Sequence, residues 1–143
     1  MSAKKNKAAV RRVIEEAFNK GNLTVADGVM ADEYVYHSSL GDAKGPDGFK
    51  QMVNMFRTAF PDIHSTIEDI VAEGDKVATR AILRGTHQGE FMGITPTGKK
   101  INVAVSGLIR FAGGKEVEAW GVMDTLAFYQ QLGITPPVGQ GGG

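Results

Sequence analysis

The sequence predicts an α+β fold, a cone-shaped barrel in which a curved, mainly antiparallel sheet wraps around helices. Apolar residues recur at the spacing of helices through the first 60 residues. From Ile63 to Asp124 they alternate with polar residues at the spacing of strands. Because a long antiparallel sheet twists and coils, it can close around the apolar helices and enclose an apolar interior.

Three helices and one short strand are predicted before the sheet. An apolar stripe over residues 10–18 marks the first helix, and the second runs from the capping Thr24 to about Met30. The short strand follows at 34–37. The third helix begins at Gly45, ends before Pro61, and carries large apolar side chains on one face: Phe49, Met52, Val53, Phe56 and Phe60.

Four long strands follow the third helix, and a last helix is predicted at 125–132. A turn at 73–76 connects the first two of these strands, and the pair Gly113-Gly114 connects the last two. The chain is predicted to form a single domain over 1–135, followed by a flexible Pro/Gly tail at 136–143. The predicted strand ranges are 63–71, 77–86, 101–111 and 117–124.

Composition excludes several classes of function. Lys plus Arg equals Asp plus Glu at 16 each, which argues against a nucleic-acid partner because phosphate binding requires a basic surplus. There is no cysteine and no apolar run long enough to span a membrane, so a cytoplasmic protein is expected. The three histidines have no metal-ligand spacing, and no phosphate loop or nucleophile elbow is present, so no metal site is predicted.

On the residues alone, Asp124 fits two roles. It stands immediately before the last helix, where Asp is a good N-cap. It also stands at the end of a strand that carries Trp120, where a carboxylate can act as a site acid. Alternation puts five residues on one face of that strand, without showing whether the face points inward: Glu116, Glu118, Trp120, Val122 and Asp124.

Three other side chains also leave alternatives open. His37 is either a surface histidine or a partner of the site acid. Arg80 is either exposed or buried beside a carboxylate, with Asp124 and Glu118 as candidates. Trp120 is either part of the core or a platform for a ligand.

Two stretches, GTHQGEFMGITPTGKK at 85–100 and GGKEVEAWGVMDTLAFYQQLG at 113–133, resemble the SnoaL-like polyketide cyclases, also called ester cyclases. These belong to the superfamily named after nuclear transport factor two, whose fold is also described as cystatin-like. The resemblance runs from the first helix to Gly133 and is specific to the family, not to a substrate. It implies a deep apolar pocket, a homodimer or tetramer, and aldol ring closure without metal or cofactor.

The resemblance also implies roles for individual residues. Asp124, in the Trp120–Asp124 stretch, is expected to be the general acid/base, and desolvation against Trp120 would raise its pKa. Apart from the resemblance, His37 is expected to be a second catalytic residue. The stretch 106–110 departs from the family pattern because it holds neither an amide nor an imidazole side chain. The expected ligand is a small apolar or aromatic carbonyl compound that contacts Trp120, His87, Arg80, Phe91, Met52, Phe56 and Phe60.

The segment 85–100 is much longer than the connections of about 4–6 residues that are usual in compact domains. It is expected to form a lid across the pocket mouth, with Phe91 and Met92 turned inward and His87 touching the polar rim of the substrate. A homodimer is expected to pair through the outer face of the sheet, using Ile67, Val71, Val105 and Ile109.

Two other functions are possible for the same pocket. One is an epoxide-hydrolase-like or dehydratase enzyme, which would use Asp124 with His37 or Arg80. The other is a dimeric module that binds a small molecule without catalysis.

Overall fold

The structure is a computed structural model that describes residues 2–135. The predicted tail at 136–143 lies outside the described residues. Within these residues there are four α-helices: α1 (Ala3–Arg12), α2 (Thr24–Val29), α3 (Gly45–Ala59) and α4 (Thr125–Leu132). The same range contains six strands: β1 (Met30–Ser38), β2 (Gly41–Lys44), β3 (His64–Glu73), β4 (Lys76–Thr86), β5 (Lys100–Ala112) and β6 (Lys115–Met123).

All six strands form one sheet in the order β2-β1-β6-β5-β4-β3. The last four strands are the predicted antiparallel meander, and the predicted α+β barrel fold is confirmed. Two features have no counterpart in the sequence prediction. The short edge strand β2 pairs with β1, and β1 pairs with β6 in parallel. This parallel pairing places the first strand of the chain beside the last.

The end of α1 continues into one turn of π-helix, Val13–Phe18. The backbone N–H of Asn19 donates to the carbonyl of Ile14 at 3.0 Å, five residues earlier. The guanidinium of Arg57 on α3 donates to the carbonyls of Phe18 and Asn19 at 3.0 and 2.7 Å, which satisfies acceptors that the irregular turn leaves free. Such π-turns are frequent at functional sites, and this one brings Phe18 to the interior.

Strand β6 contains a β-bulge near its start. Arg110 pairs with Glu118 and Phe111 pairs with Glu116, so Val117 is an extra residue relative to β5. A bulge of this kind shifts the alternation of side chains by one residue. Consequently Glu116 is 2% exposed and shares the inward side with Ala119. The expectation that Glu116 shares a face with Glu118 is therefore wrong.

Candidate active site

A cavity of about 180 Å³ lies between the concave side of the sheet and the helices. Most of its lining is apolar. The helical segments contribute Val10, Val13, Ile14, Phe18, Phe49, Met52 and Phe56. The strands and the β1–β2 turn contribute apolar side chains and a small polar set: Tyr34, Tyr36, Ser38, Ser39, Ser65, Thr79, Ser106 and Glu116. An apolar cavity with a few polar groups is the usual form of a small-molecule site.

Of the three aromatic and Met residues predicted on α3 as ligand contacts, two line the cavity. Met52 and Phe56 face it, whereas Phe60 is fully buried in the neighbouring core and does not line it. Two residues expected on the outer face, Val105 and Ile109, also line the cavity, so they face inward. The predicted outer apolar face is therefore wrong at those two positions.

Asp124 does not take the position expected of a site acid. Its side chain is exposed and accepts a hydrogen bond from the backbone N–H of Ala127 at 3.1 Å. It is the N-cap of α4, and it is not among the residues that line the cavity. Of the two roles open from the sequence, the geometry is that of the helix cap.

His37 does not line the cavity, whereas its neighbours Tyr36 and Ser38 on β1 do. Its Nε2 contacts Glu118 Oε2 at 2.8 Å, and its Nδ1 contacts Asp42 Oδ1 at 3.2 Å. Its ring stacks on that of Trp120 at 5.8 Å. The hydrogen bond with Glu118, followed by that with Asp42, raises the pKa of His37. The partners are on neighbouring strands, so the sheet register brings this network together.

Glu118 also binds the guanidinium of Arg110, at 3.1 Å. Its hydrogen bonds with His37 and then Arg110 lower the pKa of the Glu118 carboxyl. Trp120 is 37% exposed and lines the cavity, as predicted for a ligand contact, while its ring stacks on that of His37. The charged side chains of this network form a solvated cluster outside the cavity, and Trp120 is the member of the network that lines it.

Arg80 is also outside the cavity. It is exposed on β4, and its guanidinium forms a salt bridge with Asp69 at 2.7 Å. Its neighbours Thr79 and Ala81 line the cavity, because side chains alternate along the strand. Arg80 itself does not line the cavity in which its contact with a ligand is predicted.

The segment between β4 and β5 packs against the end of α3 instead of covering the cavity. The N–H groups of Gln88 and Gly89 donate to the carbonyl of Ala59 at 2.9 and 3.0 Å. Phe91 is fully buried among Phe56, Phe60 and Phe128, whereas Met92 is 55% exposed. The segment therefore closes one end of the barrel, and the inward position expected for Met92 is wrong.

His87 lies at the root of that segment and is fully buried. Its ring stacks on Phe60 at 5.2 Å, and its Nδ1 accepts from the N–H of Thr97 at 3.2 Å. Among the described residues its Nε2 has no hydrogen-bond partner. His87 does not line the cavity, in which its contact with the polar rim of a ligand is expected.

Glu116 is the cavity residue that the sequence reasoning missed. It is the one charged-type side chain among the cavity-lining residues of 2–135, and burial raises the pKa of its carboxyl from 4.5 to about 8. It makes no hydrogen bond with another described side chain or backbone group. Only the bulge turns it inward, and the local sequence pattern carries no sign of that bulge.

Two tyrosines from β1 join Glu116 in the cavity. Burial raises the pKa of Tyr34, with a smaller effect from the charge of Glu116, and burial also raises the pKa of Tyr36. Both phenols therefore keep their protons and can donate hydrogen bonds at neutral pH. The ring of Tyr34 packs edge-on against Phe49 at 6.5 Å. Tyr34 and Tyr36 are two residues apart on β1 and therefore share one face, but the sequence does not show that this face points into the cavity.

Within residues 2–135, no group of three or more His, Cys, Asp or Glu side chains is placed to hold a metal ion. None of the helices in the same range is long and apolar enough to cross a membrane.

A curved α+β barrel around an apolar cavity, with hydroxyls and one carboxyl inside, has the form of a small-molecule site. The family model of the SnoaL-like polyketide cyclases matches residues 8–132, and the chain belongs to that family.

Named relatives agree with this assignment. The chain is 31% identical over 130 residues to the aklanonic acid methyl ester cyclase of Streptomyces galilaeus, covering 88% of this chain and 89% of that protein. It is 28% identical over 129 residues to the nogalonic acid methyl ester cyclase of Streptomyces nogalater, covering 87% and 96%. These relatives support an enzyme of the cyclase type.

Solved structures are similar over nearly the whole chain. IdmH of Streptomyces antibioticus, described as a candidate polyketide cyclase, is 34% identical with a TM-score of 0.77, covering 89% of this chain and 97% of that one. A candidate SnoaL-like polyketide cyclase from Jannaschia sp. CCS1 has a TM-score of 0.85 at 24% identity, covering 94% and 95%, and supports the fold.

Proposed function

We propose that this protein is a cofactor-independent cyclase that closes a ring by intramolecular aldol addition, or by related lyase or isomerase chemistry, on a small apolar or aromatic carbonyl compound. The observation that carries the proposal is the apolar cavity of about 180 Å³ with its few inward polar groups. Family membership over residues 8–132 supports the reaction class.

The cavity supplies what ring closure by aldol addition requires. The reaction needs a group that removes a proton next to a carbonyl and donors that stabilise the oxygen on which charge develops. The hydroxyls of Tyr34 and Tyr36 are suitable donors because they line the cavity and phenols are protonated at neutral pH. In an apolar cavity such hydrogen bonds are stronger than in water.

The cavity volume also limits the ligand. Sites for drug-sized ligands usually enclose about 300–1,000 Å³. A cavity of about 180 Å³ favours a compact carbonyl compound, or the reacting end of a larger one. Met52 and Phe56 would contact its apolar part.

The hydrolase alternative has less support from the site. Such an enzyme needs a group of acidic and basic side chains around a water molecule within the cavity, whereas Arg80 is bound to Asp69 on the outside. The non-catalytic alternative, a small-molecule-binding module, shares the same cavity and is separated from the cyclase only by turnover.

The test combines binding and turnover in the full chain. Aklanonic acid methyl ester and the smaller heptane-2,6-dione are incubated with the protein, and cyclised products are separated by chromatography. Met52→Trp fills the cavity, and Met92→Trp places the same side chain on the surface as a control. Ring closure that is lost only in Met52→Trp supports the proposal.

Binding of these compounds without ring closure would favour the non-catalytic module. Ring closure that survives Met52→Trp in a folded protein would place the reaction outside the cavity and contradict the proposal.

We also propose that two copies pair through the outer face of the sheet. The exposed apolar residues on the last strand support this proposal: Trp120 is 37% exposed and Val122 is 66% exposed. An exposed apolar face on an antiparallel sheet is unfavourable in water and is commonly covered by a partner.

A further inference from the structure

We propose that Glu116 is the catalytic residue that transfers protons within the cavity, an inference that rests on the proposed function. Glu116 is 2% exposed and lines the cavity. The β-bulge at Val117 is what turns it inward, and bulges often re-aim a side chain beside an active site. Neither Asp124 nor His37 offers an alternative, because both are bound in exposed hydrogen-bond networks outside the cavity.

A purely structural role does not account for this carboxyl. A carboxyl buried for stability is expected to have a charged or hydrogen-bonded partner, because burial without one costs free energy. Among residues 2–135, neither a hydrogen bond nor a neighbouring charge offsets the burial of the Glu116 carboxyl. Groups that are held at a cost in stability concentrate at functional sites.

The surroundings of Glu116 are free of other charges. The helical segments and β6 line the cavity with apolar side chains, among them Val10, Val13 and Ala119. The other titratable groups that line the cavity are Tyr34 and Tyr36. Burial alone therefore sets the state of the carboxyl, and its pKa rises from 4.5 to about 8. A group with a pKa near neutrality can both accept and return a proton.

In the proposed step, Glu116 removes one proton from the substrate and later returns it. The carboxylate of Glu116 removes a proton from the carbon next to a carbonyl, and the electron pair of that C–H bond forms the enolate. The enolate carbon then forms a bond with a second carbonyl carbon of the same molecule, whose oxygen becomes an alkoxide. The carboxylic acid of Glu116 returns its proton to that alkoxide. No oxidant, reductant or cofactor is required.

Proton removal can be measured apart from ring closure. Cyclohexanone, a compact ketone, is incubated with the full chain in deuterium oxide, and exchange of its protons next to the carbonyl is followed by proton NMR. We expect the protein to accelerate this exchange, with a rate that rises with pH and levels off above about pH 8. The exchange should fall by about 100-fold or more in Glu116→Gln.

Glu68→Gln is the matched control, since Glu68 is an exposed carboxylate on β3. This variant should catalyse exchange of the cyclohexanone protons at the same rate as the unchanged protein. Exchange in Glu116→Gln at that same rate would overturn the inference, as would the absence of any acceleration by the unchanged protein.

A second measurement needs no variant. With carbon-13 in the side-chain carboxyls of the glutamates, NMR should show one group that titrates near pH 8 and moves when cyclohexanone is added. Titration of every glutamate in the ordinary acidic range would overturn the inference. Exchange that depends on Glu116 without closure of any ring would support the proton-transfer role while contradicting the proposed cyclase.

Discussion

The hydroxyl of Tyr36 lies against Gly121, in the space that a side chain at position 121 would occupy. The two residues are on the parallel strands β1 and β6, where Tyr36 pairs with Ala119 and Ser38 pairs with Gly121. A glycine inside a strand often marks a place where another group approaches the backbone closely. Here that group is a phenol of the cavity, so Gly121 determines where the hydroxyl of Tyr36 can sit.

Gly121→Ala should therefore destabilise the protein by about 1–3 kcal/mol, because the new methyl group overlaps the ring and hydroxyl of Tyr36. The loss should be smaller in a Tyr36→Phe background, since the hydroxyl is the atom in closest conflict. Chemical denaturation of the two single variants and the double variant measures this coupling.

Gly107→Ala is the control, because Gly107 pairs with Gly121 across β5 and β6. A methyl group there would approach Thr79 Oγ1 at 3.2 Å, a much milder contact. Equal losses for the two glycines, or no coupling between Gly121 and Tyr36, would contradict this account.

The buried carboxyl of Glu116 predicts how stability depends on pH. Its pKa is about 8 when folded and 4.5 when exposed, so the folded state holds the extra proton between those values. Stability should therefore be highest below pH 4.5, as far as this group is concerned, and fall as the pH rises to about 8. At about 1.4 kcal/mol for each pH unit, the loss by pH 7 is on the order of 3 kcal/mol.

Glu116→Gln should remove this part of the pH dependence, and Glu68→Gln should keep it. Free energies of unfolding from denaturant titrations across this pH range provide the measurement. A profile in Glu116→Gln that falls as steeply as that of the unchanged protein would show that Glu116 is charged when folded.

The periodicity of the sequence predicted the helices and the four long strands because each buries one face, and that requirement is local. The range predicted for the last helix, 125–132, agrees with α4. The parallel pairing of β1 with β6 could not be predicted from periodicity, since it depends on contacts between segments that are distant in the sequence. The edge strand β2, whose four residues carry no large apolar side chain, gave no periodic signal.

The site was harder to predict than the fold for the same reason. One extra residue at Val117 reverses the direction of Glu116, and a bulge arises from pairing with the neighbouring strands. The long segment after β4 contains apolar residues because it closes the barrel, as the buried Phe91 shows. The same sequence also fits a lid over the cavity, since closing the barrel and covering the cavity both require apolar side chains on a loop.

The proposed dimer predicts which surface substitution separates two copies. Val122→Lys puts a charge on the exposed outer face of β6 and should convert a dimer to a monomer at micromolar concentration. Met92→Lys adds the same charge at a residue of similar exposure on the loop and should leave the dimer intact. Analytical ultracentrifugation distinguishes the species, and a monomer in the unchanged protein would remove the proposal.

The last prediction concerns Asp124, whose two roles predict different results. As the N-cap of α4, it accepts a hydrogen bond from the N–H of Ala127, and its loss should leave that donor unsatisfied. Asp124→Ala should therefore lower the free energy of unfolding by about 1 kcal/mol, while Asp124→Asn, a cap of nearly equal strength, should keep most of it. Since Asp124 does not line the cavity, both variants should retain the exchange of cyclohexanone protons that we assign to Glu116. An acid/base role at Asp124 predicts the reverse, with exchange abolished in both variants and stability unchanged or raised. Thermal unfolding and proton exchange measured on the same preparations decide between them, and loss of exchange in a fully folded Asp124→Asn protein would return the acid/base role to Asp124.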